Sequence, residues 1–269
     1  MQGTGKIIVS MTSYPGRIKN VGIAIYLLLY NQTLPPDEIH LWLALSQFPH
    51  KEYSLPTDLQ LMLKLSRVKV HWLSGNTYVH KRHEIFKIVN PEDCVFLIDD
   101  DVMYKSSLIE SVMRLHKASP DCIVCYNNYH IHRYNGMHIK YELSTLGVGP
   151  FINKVRWCGQ SMIPAKLYPL PILTPENQAI RDKTSPISDE CWFQPWVVYY
   201  NIPVMYAHYD WGIDIDPNIG KDTGLVSWSH KKCSNGYEYR DNWLHSVLHA
   251  YPNLLNKYKK EFGYECNIK

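Results

Sequence analysis

The sequence predicts an α/β fold in which a mostly parallel sheet is flanked by helices and is followed by a less regular half. Short apolar runs alternate with segments of helical spacing through roughly the first 120 residues. Strands separated by helices favour right-handed βαβ units and a parallel sheet. The apolar run at 95–98 has no polar alternation, which is typical of a strand buried on both faces. A chain of 269 residues with 45% hydrophobic content can bury a large core.

Each predicted element in the first half has a local signal. Four apolar runs predict strands, and four stretches with apolar residues three and four apart predict helices. Pro15-Gly16 predicts a turn after the first strand, and Pro35-Pro36 ends the first helix. The predicted strands are 6–11, 38–44, 68–73 and 95–98, and the predicted helices are about 20–30, 58–65, 80–89 and 108–118.

The pattern changes after Tyr126, so we divide the domain into halves at 1–126 and 127–269. Residues 127–136 are polar and aromatic and show neither the helical nor the strand period of apolar residues. Such a loop suits a sugar site, because flat rings stack on pyranose faces, but it is also common as a plain packed loop. The histidines at 130, 132 and 138 could form a metal site, although His-x-His on an irregular segment usually does not.

Composition excludes some classes of protein. The net charge of +3 does not indicate a nucleic-acid partner. No stretch approaches the ~20 apolar residues of a membrane span, and the start leads into a strand instead of a signal peptide, so we expect a cytoplasmic protein. The seven cysteines lack the spacing of a disulfide scaffold. Cys122-x-x-Cys125 lies in an apolar run. This favours a core strand over one half of a zinc-binding motif.

Three carboxylates, Asp99, Asp100 and Asp101, follow the fourth predicted strand. Ligands of open α/β sheets bind outside the carboxyl ends of the strands. Carboxylate oxygens suit Mg²⁺ or Mn²⁺, which complete their coordination with water and substrate phosphate. The triplet therefore suggests a metal-bridged diphosphate. The alternative is an acidic loop before a helix, with Ser107-x-x-Glu110 as a capping box.

A second acidic pair, Asp189 and Glu190, follows Ser188, which is a candidate helix N-cap. Acids at a helix start are electrostatically favourable and need no function. A carboxylate beside Trp192 and Phe193 would also be partly desolvated, which raises its pKa towards the range of a general base. Both interpretations remain open from the residues alone.

The order of several short motifs resembles that of bacterial GT-A glycosyltransferases, close to family two, which build capsular and lipopolysaccharide sugars. The resemblance covers most of residues 6 to 252. One departure is the segment at Trp157, which has one glycine where relatives tend to have more. The motifs are residues 8–18, 32–33, 36–39, 41–43, 47–49, 99–102, 157–162 before Tyr168-Pro169, and 188–193.

The resemblance implies a GT-A fold with a nucleotide-sugar-binding half at 1–126, an acceptor-binding half at 127–269, a UDP-sugar donor and Mn²⁺ or Mg²⁺. It places one of the outer acids Asp99 and Asp101 on the metal or the ribose and the other on the metal. It makes Asp189 or Glu190 the base. A further metal ligand could be His208 or His230. Lys81 and Arg82 could instead be a solvated helix start. The expected donor-binding residues are Thr12, Ser13, Tyr14, Arg17, Tyr78, His80, Lys81, Asp99 and Asp100.

The same resemblance implies transfer of a hexose, with inversion, to a hydroxyl of a glycan or a lipid-linked oligosaccharide. Residues 253–264 mix lysines with Leu, Tyr and Phe, which suits either peripheral contact with the inner face of the membrane or an ordinary terminal helix. A nucleotidyltransferase of related fold would need a Gly-rich basic loop, and Thr12 to Arg17 supplies only Gly16 and Arg17. A non-catalytic sugar-binding module is the other alternative.

Overall fold

We describe the protein from a computed structural model. The structure describes residues 5–125, 131–135, 138–142, 150–151, 160–207, 212–215 and 238–263. Its strands are β1 (Ile7–Thr12), β2 (Glu38–Ala44), β3 (Val68–Leu73), β4 (Cys94–Leu97), β5 (Val102–Tyr104), β6 (Ile123–Cys125), β7 (Ile131–Asn135), β8 (His138–Glu142), β9 (Pro150–Phe151), β10 (Ser161–Pro164), β11 (Val204–Tyr206) and β12 (Gly212–Asp214).

Helices cover both faces of the main sheet that these strands form. A 3-10 helix at Tyr78–Lys87 follows β3, and shorter 3-10 turns lie at Lys51–Ser54, Ala165–Leu167 and Leu170–Leu173. The α-helices are α1 (Ile18–Tyr30), α2 (Thr57–Met62), α3 (Leu108–Ala118), α4 (Pro175–Thr184), α5 (Asp189–Tyr199), α6 (Glu238–Ala250) and α7 (Pro252–Phe262). Among the described residues, none of these helices is both long enough and apolar enough to cross a membrane.

The main sheet confirms the predicted α/β class. Within the described residues it has eight strands in the order β3-β2-β1-β4-β10-β6-β11-β9. The four strands predicted from the first half lie side by side and are parallel. β10 enters antiparallel between β4 and β6, so the second half of the chain completes the sheet begun by the first. β5 and β12 form a separate two-stranded ribbon, and β7 and β8 form a hairpin.

β4 is buried on both faces, as its unbroken apolar run predicts. Val95 and Leu97 pack into the cluster formed with the 3-10 helix at 78–87 and α5 to α7. Phe96 and Ile98 pack into the opposite cluster, with α1, α2 and α3. Each fully buried side chain of this size contributes about 1.5–3 kcal/mol. The triplet that follows is therefore attached to the end of a fully buried strand.

The predicted core strand forms at Ile123–Cys125, whereas the capping box before α3 does not form. Cys122 and Cys125 are buried and Cys125 ends β6, which confirms the core strand. The capping box is wrong, because Ser107 makes no side-chain cap hydrogen bond and Glu110 accepts one from Thr33. The predicted helix at 80–89 is a 3-10 helix. The side chains of the 127–136 loop, the histidines at 130, 132, 138, 208 and 230, and residues 157–159 of the segment at Trp157 lie outside those described.

The segment that mixes lysines with Leu, Tyr and Phe forms α7 over Pro252–Phe262. Its Leu254 and Tyr258 are buried in the core against α5. Its apolar side is therefore not available to a bilayer, and its lysines lie on the remaining surface. Lys257 pairs with Glu261 one turn away.

Candidate active site

The carboxyl ends of β1 and β4 meet at one edge of the sheet. Ser10 lies opposite Leu97, so the loop after β1 is adjacent to the loop after β4. Thr12 is tied to β2, because its Oγ1 donates to the Trp42 carbonyl at 2.8 Å. This register brings the predicted donor-binding loop, Thr12 to Arg17, to the aspartate triplet as expected.

Arg17 faces the triplet directly. Its Nη1 lies 2.9 Å from Asp101 Oδ2 and 3.3 Å from Asp100 Oδ1. The guanidinium also lies over the Tyr14 ring, 5.8 Å from its centroid, at a distance suited to a cation–π contact. Arg17 therefore partly neutralises the triplet in the absence of a ligand.

The three aspartates have different environments. The side chain of Asp100 is buried, whereas those of Asp99 and Asp101 are 34% and 19% exposed. Burial and the neighbouring Asp99 raise the pKa of Asp101 to about 7, with Arg17 opposing them. Burial also raises the pKa of Asp100, again opposed by Arg17. Asp100 Oδ2 and Ser13 Oγ are buried and neither makes a hydrogen bond of good geometry. The triplet thus concentrates more negative charge than its surroundings compensate.

Four successive side chains of the 3-10 helix at 78–87, from His80 to His83, are buried. The alternative of a solvated helix start for Lys81 and Arg82 is therefore wrong. His80 hydrogen-bonds through Nε2 to the Ser185 carbonyl at 2.8 Å, and burial together with Arg181 lowers its pKa to about 3. His80 thus joins this helix to the segment before α5 as a neutral side chain.

Asn76 organises the start of the same helix. Its Oδ1 accepts hydrogen bonds from the Tyr78 backbone N–H and from Lys81 Nζ, at 3.1 and 2.8 Å. Burial lowers the pKa of Lys81 to about 8, and Asp100 opposes this shift. Tyr78 is 46% exposed and has a φ of 51°, a left-handed conformation that is costly for a side chain of this kind. Tyr78 is thus available to a ligand, while Lys81 is enclosed near the triplet.

Arg82 joins the two acidic motifs. Its Nη1 donates to Asp99 Oδ1 at 2.7 Å, and its Nε and Nη2 both donate to Asp189 Oδ2, at 3.0 and 2.6 Å. Burial opposes the charge of Arg82, but Asp189 and Asp99 raise its pKa above the ordinary value. Gln160 Nε2 donates to the other oxygen of Asp99 at 2.5 Å. This role of Arg82 has no local signal in the sequence, since a Lys-Arg pair carries no sign of burial.

The start of α5 has the predicted cap. Ser188 Oγ accepts from the Cys191 backbone N–H at 3.2 Å. Asp189 is buried, as expected, but the predicted direction of its pKa shift is wrong. Burial would raise the pKa of Asp189, yet Arg82 and the His83 hydrogen bond lower it well below the usual range. Glu190 follows in the first turn and is only half-buried.

His83 completes the surroundings of Asp189. Burial lowers the pKa of His83 despite the nearby carboxylate, so its ring is neutral. Its Nε2 lies 3.2 Å from Asp189 Oδ2 and its Nδ1 lies 3.1 Å from the Tyr168 hydroxyl. Since Asp189 can only accept, Nε2 carries the proton and Tyr168 donates to Nδ1. Asp189 Oδ2 therefore accepts from two groups, a guanidinium and an imidazole.

The triplet suits a divalent cation in the kind of ligand it offers. Over the described ranges, no three His, Cys, Asp or Glu side chains are arranged to hold a metal ion by themselves. Mg²⁺ and Mn²⁺ need only one or two protein carboxylates when phosphate oxygens and water complete the shell. The two more exposed acids, Asp99 and Asp101, could supply these, and the raised pKa of Asp101 marks a place where positive charge is favoured.

Comparison with known proteins supports the fold. No protein-family model and no curated protein sequence matches this chain. The crystal structure of Staphylococcus aureus TarS 1-349 matches over 95% of this chain and 72% of its own, with 13% identity and a TM-score of 0.52. The same fragment in complex with UDP matches over the same shares, with 10% identity and a TM-score of 0.48. A longer TarS structure matches over 96% of this chain and 44% of its own, with 11% identity and a TM-score of 0.50. At this identity, the likeness to TarS establishes a shared mostly parallel α/β fold.

Proposed function

We propose that the protein is a nucleotide-sugar-dependent glycosyltransferase. The observation that carries the proposal is the meeting of three motifs at one edge of the sheet: the loop after β1, the triplet after β4 and the acidic start of α5. A transferase needs a charged site for a leaving diphosphate beside a group that can accept a proton from the acceptor. The fold shared with TarS and the motif order both favour this chemistry over an unrelated binding function.

The donor is a nucleoside diphosphate sugar, with UDP as the nucleotide. Thr12, Ser13, Tyr14 and Tyr78 line the nucleotide side, while Arg17 and Lys81 bring positive charge towards the diphosphate. The buried state of Lys81 supports this, because an enclosed ammonium interacts more strongly with an anion than an exposed one. His80 takes a supporting role, since its Nε2 is bonded to the Ser185 carbonyl.

A divalent cation belongs to the proposal. Asp99 and Asp101 would hold Mn²⁺ or Mg²⁺, and the ion would act as a Lewis acid that neutralises the diphosphate as it leaves. Asp100 stays buried behind them and keeps Arg17 in place. The protein's own part is to collect these carboxylates at the end of a rigid strand.

Inverting transfer requires a base opposite the leaving group. We assign this role to Glu190 and a supporting role to Asp189. Asp189 is a weak proton acceptor, because Arg82 and His83 both stabilise its ionised form. Glu190 lies one residue further in the same helical turn and is less buried.

The acceptor is a hydroxyl of a glycan or a lipid-linked oligosaccharide, of the kind used for capsular polysaccharide or lipopolysaccharide. The acceptor-binding half supplies α5 and the helices behind it. Peripheral contact with the inner face of the membrane would involve the lysines of α7, such as Lys259 and Lys260, since the apolar side of that helix is buried. Sedimentation with anionic liposomes, using the Lys259→Glu, Lys260→Glu variant as the comparison, tests that contact.

The test of the proposal is UDP binding by calorimetry with and without Mn²⁺, followed by incubation with a panel of nucleotide sugars. We expect Mn²⁺-dependent UDP binding and slow release of free UDP from one donor. Asp101→Ala should abolish the metal-dependent part of the binding. Asp121→Ala is the control, because Asp121 is an exposed acid that pairs with Lys166.

Two results would contradict the proposal. Equal UDP binding with and without Mn²⁺ would contradict the proposed metal site. Release of pyrophosphate from a nucleoside triphosphate and a sugar phosphate would indicate a nucleotidyltransferase, whereas binding of sugars without any nucleotide would indicate a non-catalytic module.

A further inference from the structure

The 3-10 helix at 78–87 lies between the sheet and α5, and its Arg82 side chain bonds to both sides. Its guanidinium spans two acids, Asp99 at the end of β4 and Asp189 at the start of α5. These acids are 17 residues after and 107 residues after Arg82 in the chain. The side chain therefore joins the two halves of the domain at the candidate site.

The backbone of Arg82 is anchored from the sheet. Ser10 Oγ donates to the Arg82 carbonyl at 2.7 Å, and Trp42 Nε1 donates to the same Ser10 oxygen at 3.0 Å. Ser10 lies in β1 and Trp42 in β2, so two adjacent strands fix the height of Arg82 above the sheet. The sheet thus fixes the backbone of Arg82 independently of the contacts that its guanidinium makes with the two acids.

The pairing with Asp189 is electrostatically demanding. Both side chains are buried, and a buried carboxylate without its cation is strongly destabilised. His83 contributes a neutral hydrogen bond and so cannot replace the charge. The first turn of α5, which carries Asp189 and Glu190, is therefore stable in this position only while Arg82 reaches it.

The fork of the guanidinium explains why the residue is arginine. Nη1 points to Asp99, while Nε and Nη2 point to Asp189. A lysine ammonium is a single point of charge and cannot present donors in two fixed directions. Replacement by lysine would keep the charge but lose one of the two attachments.

We propose that Arg82 is a positioning residue that holds the acidic start of α5 against the strand-end aspartates. The inference rests on the proposed transferase function for its catalytic consequence. Arg82 itself touches neither donor nor acceptor in this role; it acts through Asp189 and the turn that carries Glu190. Without it, the base is displaced from the donor even if the donor still binds.

The test combines amide hydrogen exchange of the ligand-free protein with UDP calorimetry and steady-state kinetics. In Arg82→Met, we expect exchange of residues 189–193 to rise at least about tenfold, which corresponds to about 1.4 kcal/mol of local opening free energy. Exchange in α3 should stay at the wild-type level. The turnover number should fall about 10²-fold, the cost of a misplacement near 1 Å, while the Kd for UDP should rise by less than the turnover number falls, because Arg82 also bonds the proposed metal ligand Asp99.

Three further variants separate positioning from simple loss of stability. Arg82→Lys should lie between wild type and Arg82→Met in both exchange and turnover. Millimolar guanidinium should restore part of the turnover of Arg82→Ala. Lys87→Met is the control, because Lys87 is a cation of the same 3-10 helix but pairs with Glu84 instead of α5. It should leave the exchange of residues 189–193 unchanged.

Unchanged exchange at the start of α5 in Arg82→Met would overturn the inference, as would a loss of activity explained entirely by weaker UDP binding. If Arg82→Met does not fold, Arg82→Lys and its exchange decide in the same way. If the wild-type protein turns over no nucleotide sugar, the proposed function fails, but the exchange of the ligand-free variants still decides whether Arg82 holds α5.

Discussion

The end of β4 and the start of α5 both place a carboxylate against an arginine, yet the pKa values of the two carboxylates move in opposite directions. Burial and Asp99 raise the pKa of Asp101 to about 7, although Arg17 lies 2.9 Å away. Burial acts in the same direction on Asp189, but Arg82 and His83 lower its pKa well below the usual range. Asp101 shares one arginine with two acidic neighbours, whereas Asp189 accepts from two donors. The number of partners, and not burial alone, decides the sign.

This difference separates a place for an incoming cation from a place already supplied with one. The triplet still has negative charge to offer a ligand, which suits a donor site. Asp189 has its charge satisfied by the protein itself, which suits a structural attachment. Proton transfer would then fall to Glu190, and the two acids of the pair would have different tasks.

The largest expected effect separates Glu190 from Asp189. Glu190→Gln should lower the turnover number about 10²–10⁴-fold, the usual loss for a general base, with the Kd for UDP unchanged. Asp189→Asn should lower turnover as well, but together with the stability of the fold. Turnover by Glu190→Gln at the wild-type rate would contradict the assignment of the base.

The next effect tests the opposite pKa shifts of Asp189 and Asp101 through the free energy of unfolding. Asp189→Asn should lower the free energy of unfolding by about 3–5 kcal/mol, because it leaves Arg82 buried with one partner fewer. The folded pKa of Asp189 lies below its unfolded value, so the contribution is present above about pH 4 and is lost as the pH falls further. Urea unfolding at about pH 7.5 and at about pH 2 measures both quantities.

Asp101→Asn should behave in the opposite way in the ligand-free protein. The folded pKa of Asp101 lies above its unfolded value, so ionisation costs stability as the pH rises from about 4 to about 7. The amide removes that cost, and the variant should gain stability relative to wild type between pH 5 and pH 8. A loss at pH 8 equal to that of Asp189→Asn would contradict the comparison.

The smallest expected effect concerns the support of the triplet alone. Gly212 in β12 has a φ of 157°, and a Cβ there would lie 2.4 Å from the Met103 carbonyl oxygen of β5. The next residues hold the triplet, since the Ile215 backbone N–H donates to the Asp101 carbonyl at 2.8 Å. Gly212→Ala should cost about 1–3 kcal/mol and weaken Mn²⁺-dependent UDP binding while leaving exchange in α5 unchanged.

The matched control for that substitution is Gly75→Ala, because nothing lies within 4 Å of a Cβ at Gly75. Thermal unfolding and calorimetry of the two variants compare them directly. If both behave alike, the β5–β12 ribbon does not support the triplet.

Local patterns predicted most of the first half correctly. The strands β1 to β4 and the helices α1 and α3 follow from apolar period and turn residues, because those signals lie within the element itself. The position of the triplet at a strand end and the Ser188 cap of α5 are equally local. The 3-10 form of residues 78–87 was missed, since its side chains are buried by contacts with strands and with α5 that no local period records.

The sequence by itself determined the α/β class, the alternation of strands and helices along the first half of the chain, and the placement of acids at the ends of two elements. These features are local, because hydrophobic period and capping act over a few residues. Only the tertiary structure decided that Arg82 reaches both Asp99 and Asp189, and that Asp189 is held ionised while Asp101 is pushed towards protonation. Those outcomes depend on Coulomb interactions and desolvation between groups as far as 107 residues apart in the chain. The distances in space between these groups are set by the packed fold and cannot be obtained from their spacing along the chain.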